Sequence, residues 1–220
     1  MEITASAPGK LFLLGEYAVT SGHPAVVCST ERRLACRITA APGTGQIKVV
    51  RGDGRAWPCA LDLESVTHVP EPFRFAVAAA VVGGRSLGLE SWDLRIEPAE
   101  TLDRGTPKVG LGGSAAVTAA ILAGLAAISR ANSGREDPRE TRRRIVLGVQ
   151  AHRLAQGGGS GADVAAITAG GLVCVDGIGT DPAPTTITQA CHRQLEELRV
   201  DRLTLPPDAR LVALATERPA

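Results

Sequence analysis

Three glycine-rich segments hold the residues whose types and spacing could do chemistry. The second reads Lys108-Val109-Gly110-Leu111-Gly112-Gly113-Ser114-Ala115-Ala116 and is the most informative. Gly110, Gly112 and Gly113 free the backbone for positive φ angles and for close approach to a ligand. Ser114 then opens an Ala- and Leu-rich stretch that reads as a helix. Unpaired N–H groups and the positive end of the helix dipole meet there, and phosphate is the natural guest. A loop that only caps a packed helix would read the same way. No Walker A string, Gly-x-x-x-x-Gly-Lys-Ser/Thr, occurs in the chain. Gly110, Gly112 and Ala115 satisfy a dinucleotide fingerprint, but residues 101–107 before them are not an apolar strand.

The third segment, Gln156-Gly157-Gly158-Gly159-Ser160-Gly161-Ala162-Asp163, puts Ser160 and Asp163 at a helix start. Both fit a helix cap, with Ser160 accepting from backbone N–H groups and Asp163 favoured by the dipole. Asp163 equally fits a carboxylate held beside bound phosphates. The first segment, Ala7-Pro8-Gly9-Lys10, leads into an apolar run and Gly15-Glu16-Tyr17. Lys10 is either a solvated strand end or an inward point charge for a phosphate or oxyanion.

The elements that must position these groups follow from periodicity. Ile3, Ala5 and Ala7 share one face of a short strand expected to stop at Pro8-Gly9, and residues 11–14 form a second apolar run. Strands are expected over 24–28, 34–39, 46–51, 92–97, 171–175 and 211–215, with turns at Pro42-Gly43 and Gly52-Asp53-Gly54. Helices are expected over 73–82, ended by Gly83-Gly84, over 114–131, from Asp137-Pro138 to about 155, and over 162–169. Arg139, Arg142, Arg143 and Arg144 give the third of these a basic outer face. Residues 177–188 read as a loop or linker, and 195–205 fit no single element. Strands dominate the first half and helices the second, which favours an α+β fold.

Composition removes several function classes. The 220 residues are 44% hydrophobic and 21% charged, so a core can form. Lys+Arg 24 against Asp+Glu 23 gives a net charge of +1, and aromatics are 3%, which disfavours nucleic-acid binding. The longest apolar stretch, 115–128, is interrupted by Thr118 and Gly124 and is short for a membrane span, and no basic n-region opens the chain. The cysteines, Cys28, Cys36, Cys59, Cys174 and Cys191, show no Cys-x-x-Cys spacing and read as buried reduced thiols of a cytoplasmic protein.

Taken together, the three segments resemble the sugar and isoprenoid kinase superfamily of galactokinase, homoserine kinase, mevalonate kinase and phosphomevalonate kinase. The opening Ala-Pro-Gly-Lys-Leu-Phe-Leu-Leu-Gly-Glu-Tyr-Ala-Val is similar to the first motif of its isoprenoid branch, and 110–116 to its phosphate-binding motif. Gln150-Ala151-His152, Gln156 and the run from Gly159 to Ala165 resemble the phosphomevalonate kinase branch in particular. The likeness covers about residues 5–175.

The resemblance implies an α+β fold with a ribosomal S5 domain 2-like N-terminal kinase domain. It implies ATP and Mg2+ as cofactors and phosphomevalonate as the small-molecule acceptor. Lys10 and Asp163 are then catalytic, and Gly110, Leu111, Gly112, Gly113, Ser114 and Ala115 wrap the ATP phosphates. Ser114 also ligates the metal, and His152, Arg153 and Ser160 bind the acceptor; the His152-Arg153 pair would suit its phosphate dianion, and a solvated helix face would read the same way. Gly113 stands where the family has the first serine of a pair, and His152 where mevalonate kinase has a magnesium-binding glutamate. Nothing after Val175 matches the motif of the family's second, ferredoxin-like domain. The expected organisation is an ATP-binding domain over 1–176, then linker and the start of a largely missing second domain over 177–220. Mevalonate kinase, another small-molecule kinase of the superfamily, an inactive nucleotide-binding module and a dinucleotide-binding oxidoreductase are the rival readings.

Overall fold

The computed structural model describes residues 1–98, 110–134, 139–176 and 199–212. The expected linker at 177–188, the Asp137-Pro138 cap and Cys191 lie outside them, as do Lys108, Val109 and residues 101–107.

Two long strands form the spine. β1 (Glu2–Leu14) pairs antiparallel along β2 (Ala25–Pro42). On the other edge of β2, β5 (Trp92–Pro98) pairs with residues 36–42 and β6 (Leu172–Asp176) with residues 25–28. The hairpin of β3 (Gln46–Val50) and β4 (Ala56–Ala60) joins through the parallel pair β3–β5. β7 (Arg199–Leu203) pairs antiparallel with β6, giving a seven-stranded sheet in the order β4-β3-β5-β2-β6-β7 with β1 on β2.

One face of the sheet is core and the other faces water. Along β2, Leu34, Cys36, Ile38 and Ala40 are buried, whereas Arg33, Ala35 and Arg37 between them are exposed. On the buried face lie α3 (Gly113–Ser133), against β1 and β2, and α5 (Ala162–Ala169), against β1, β2 and β6. α2 (Glu71–Ser86) and α4 (Glu140–Gln156) pack on α3 and on each other, and the one-turn α1 (Glu64–Thr67) precedes α2. α3 is long and apolar enough to span a membrane. Here it is a core helix: Ala115, Ala116, Ile121, Leu122, Leu125 and Ile128 are buried against the sheet and its neighbouring helices.

The α+β architecture is as expected, with several local corrections. Pro8-Gly9 does not end a strand; β1 continues through it with a register irregularity between Pro8 and Lys10. The two strands expected over 24–28 and 34–39 are one continuous β2. Gly83-Gly84 does not end α2. A Cβ at Gly83 would lie 2.7 Å from Leu122 Cδ2, and one at Gly84 2.8 Å from Leu61 Cδ1, so these glycines serve close packing. β4 carries Pro58 at the sheet edge, where a missing N–H is tolerated, and the alternation pattern passed over it. Of the strand expected at 211–215, Leu211 and Val212 are exposed and outside any strand, and the rest lies outside the described residues. Within the stretch 195–205, residues 199–203 are strand.

The described cysteines are free thiols: Cys36 is buried, and Cys28, Cys59 and Cys174 are half-buried. Burial pushes the Cys36 thiol up to about 12 and the Cys59 thiol up to about 11.

Candidate functional site

The irregularity in β1 brings the first glycine-rich segment against the second. The Lys10 backbone N–H donates to the Leu111 carbonyl at 2.9 Å. A Cβ at Gly9 would lie 2.8 Å from Thr30 Oγ1 and 3.0 Å from the Leu111 carbonyl oxygen, so only glycine lets the loop lie this close. Gly112 is the residue before α3 and adopts a left-handed conformation, φ +75°. The Lys10 side chain crosses directly over it: a Cβ there would be 2.9 Å from Lys10 Cγ and 3.1 Å from Cε. Lys10 is therefore half-buried and laid across the loop, with its ammonium 4.3 Å from the centre of the Phe12 ring.

Gly110 also has a positive φ of 71°, but Gly113 does not, so one of the three expected positive angles is not used. Gly113 is exposed, the first residue of α3, with open space where a side chain would stand. The first N–H groups of α3 have no intrahelical acceptor, and they belong to Gly113, Ser114 and Ala115. The first N–H paired within the helix is that of Ala116, to the Gly112 carbonyl at 3.0 Å. This end of α3 therefore presents donors and partial positive charge beside an ammonium.

The third segment connects α4 to α5 and closes on the same point. Gly161 precedes α5 with φ +73°, and a Cβ there would be 2.6 Å from Val149 Cγ1. Asp163 lies in the first turn of α5, where its Oδ1 accepts from the Val164 N–H at 2.8 Å. Ser160 Oγ accepts from the Ala162 N–H at 3.4 Å, a local turn contact; the residue that caps α5 is Gly161, with no side-chain cap bond, so Ser160 is not the helix cap its position suggested.

His152 joins the second and third segments. Its Nε2 is 3.2 Å from Ser114 Oγ and 3.9 Å from Asp163 Oδ2. The ring is 5% exposed and lies against Phe75, with ring centres 4.8 Å apart. Burial lowers its pKa below 6.5, and the Asp163 carboxylate opposes that only in part. His152 is thus neutral at pH 7. With its proton on Nε2 it donates to the Ser114 hydroxyl; with the proton on Nδ1 it accepts from it.

Arg153 is 1% exposed. Its Nε donates to the Gly159 carbonyl at 2.9 Å, and an NH2 group reaches the Ser160 carbonyl at 3.5 Å. The solvated helix face is excluded for both residues of the pair. His152 faces the Ser114–Asp163 gap, whereas Arg153 holds the third segment's backbone.

The structure brings Lys10 to Gly112, and Ser114, His152 and Asp163 to one another. Among the described residues no group of three or more His, Cys, Asp or Glu has the arrangement of a metal cage. A cation here would take oxygen from the Ser114 hydroxyl and the Asp163 carboxylate and the rest from a phosphate-bearing ligand, which suits magnesium. Sequence reasoning missed Phe12 and Phe75. Phe12 was legible, because residues 10 and 12 of a strand point to one face. Phe75 carries no sequence signal that links it to His152.

Residues 77–171 match the family described as GHMP kinases N terminal domain. A phosphomevalonate kinase from a Streptomyces species is 31% identical over 189 residues, covering 78% of this chain and 48% of the relative. A mevalonate kinase from Methanothermobacter thermautotrophicus is 30% identical over 183 residues, covering 80% of this chain and 51% of the relative. The chain thus spans about half the length of the curated relatives it matches. Among solved structures, Streptococcus pneumoniae phosphomevalonate kinase in complex with phosphomevalonate and AMPPNP is similar, with a TM-score of 0.64 at 17% identity. That match covers 91% of this chain and 58% of the other.

Proposed function

We propose that this chain, whose residues 77–171 match the GHMP kinases N terminal domain, binds MgATP and transfers the γ-phosphoryl to 5-phosphomevalonate. The products are 5-diphosphomevalonate and ADP, in isoprenoid precursor synthesis in the cytoplasm. The observation that carries this reading is the meeting of three distant segments at one point. Lys10 lies across Gly112, and His152 spans Ser114 and Asp163.

Each group has a role that its position suits. The N–H groups of Gly113, Ser114 and Ala115 cradle the phosphates, with Gly110, Leu111 and Gly112 shaping the loop. Lys10 supplies a point charge to the transferred group, and Asp163 receives or steers the acceptor's proton. Ser114 would hold magnesium together with the phosphates, and the ion would supply charge neutralisation there. Such catalysis is positioning plus electrostatic stabilisation.

His152, Arg153 and Ser160 form the acceptor-side wall. The neutral His152 presents a hydrogen bond toward the gap rather than a second anion, which suits an acceptor that already bears a phosphate. Arg153 contributes by fixing the Gly159 and Ser160 carbonyls.

The second reading is mevalonate kinase, favoured by the 30% identical relative of that name. The test is to incubate the purified protein with γ-labelled ATP and, in parallel, phosphomevalonate, mevalonate and homoserine. Phosphomevalonate should be used at least about tenfold better than mevalonate, a difference of only about 1.4 kcal/mol. Equal use, or a preference for mevalonate, overturns the acceptor assignment.

A further inference from the structure

We propose that Phe12 is the seat of the Lys10 ammonium and so a positioning residue for phosphoryl transfer; this rests on the phosphotransfer reading above. Lys10 and Phe12 lie on one face of β1, and the Lys10 Nζ is 4.3 Å from the ring centre. The pairing of β1 with β2 slips between Pro8 and Lys10 and again between Phe12 and Leu14. Residues 10–12 therefore form a short registered unit of their own, facing Ser29, Cys28 and Val27.

The unit is fixed at both ends. The Lys10 N–H is tied to the Leu111 carbonyl at 2.9 Å, and the Phe12 ring packs on the cluster that contains Val27 and Val173. Between them the lysine stem runs over Gly112. A ring held from behind and a stem held from below leave the ammonium little choice of position.

The kind of partner matters for the charge. Among the described residues Lys10 forms no ion pair, and its ammonium lies over the face of the Phe12 ring. A carboxylate in that place would cancel the positive charge that a phosphate needs. The negative face of an aromatic ring attracts a cation through its quadrupole and leaves the full charge in place. Phe12 thus holds Lys10 over the loop by one face of its ammonium and leaves the other N–H groups to a phosphate oxygen.

The experiment replaces Phe12 site-specifically by mono-, di- and trifluorophenylalanine, which weaken the quadrupole at nearly constant shape. Turnover should fall stepwise, by about twofold to fivefold across the series, with KM for ATP almost unchanged. Phe12→Leu should fall further and Phe12→Trp should recover. In NMR spectra the Lys10 ε-methylene, one of three in a chain whose lysines are Lys10, Lys48 and Lys108, should be shifted upfield by the ring and lose that shift in Phe12→Leu. A flat fluorine series alongside an inactive Lys10→Ala overturns the seat and leaves phosphotransfer standing. An unshifted Lys10 methylene in the wild type overturns the seat on structural grounds alone. Wild-type turnover in Lys10→Ala overturns the phosphotransfer role of Lys10, and the seat's role with it.

Discussion

Two adjacent glycines at the start of α3 should respond oppositely to one added methyl group. Gly112 has φ +75°, and its Cβ would lie 2.9 Å from Lys10 Cγ. Gly113 has an ordinary helical backbone and open space around it. Placing an L-residue in the left-handed region costs roughly 1–2 kcal/mol. Replacing a glycine by alanine at a compatible position gains about 0.4–1 kcal/mol by narrowing the unfolded ensemble. The unfolded-state gain is common to both variants, so Gly112→Ala and Gly113→Ala should differ by roughly 1–2 kcal/mol in stability. At about 2–4 °C per kcal/mol for a chain of this size, their melting temperatures should differ by about 2–8 °C.

The functional effect at Gly112 is larger than the backbone cost. The new methyl group pushes aside the Lys10 stem that crosses the loop. Gly112→Ala should thus lose turnover even at temperatures where it is fully folded, and Gly112→Val more so. The assay is thermal unfolding by circular dichroism alongside ATP-dependent turnover at 20 °C below the lower midpoint. Equal melting temperatures and equal turnover for the two alanine variants would refute the placement of Lys10 across Gly112.

Three further outcomes follow from the same geometry. Asp163→Asn should lower turnover far more than it weakens ATP binding, since it removes charge while keeping the 2.8 Å acceptor to the Val164 N–H; parallel kinetics and calorimetric titration decide this. Arg153→Met should cost roughly 1.5–3 kcal/mol in denaturant unfolding, because two carbonyls of the third segment lose a charged donor. The His152 pKa is lower in the folded chain than its usual 6.5, so between those values the unfolded chain binds more protons. Stability should therefore hold above pH 6.5 and fall as pH drops below it, and His152→Gln should flatten that fall in urea titrations run across the range.

The helices that frame the site were legible because their apolar content and glycine borders are local properties. α5, at 162–169, coincides with the expected span, and Ser114 does lie in the first turn of the long core helix. The contacts that assemble the site were not legible. Pro8-Gly9 has the composition of a strand end, but the close approach of Leu111 requires that glycine within a continuing strand. Gly83-Gly84 has the composition of a helix stop, but its absent side chains make room for Leu122 and Leu61. In both places tertiary packing decided between two uses of glycine that are identical in sequence. His152 and Arg153 are polar residues on a helix whose first turns carry exposed or half-exposed arginines, so its charge suggested a wet face, although residues 145–151 between them are buried. Their burial comes from Phe75 and from the third segment folding back on α4, both distant in sequence or outside the helix period.

The central claim is that the loop at 110–115, Lys10 and Asp163 surround one bound γ-phosphate. A crystal structure of the protein with MgAMPPNP and phosphomevalonate tests it most directly. The claim predicts phosphate density at the start of α3, with oxygens within hydrogen-bond distance of the Gly113, Ser114 and Ala115 N–H groups and of Lys10 Nζ, and the acceptor on the Asp163 side. A nucleotide whose phosphates lie away from α3, or an acceptor remote from Asp163, would contradict it.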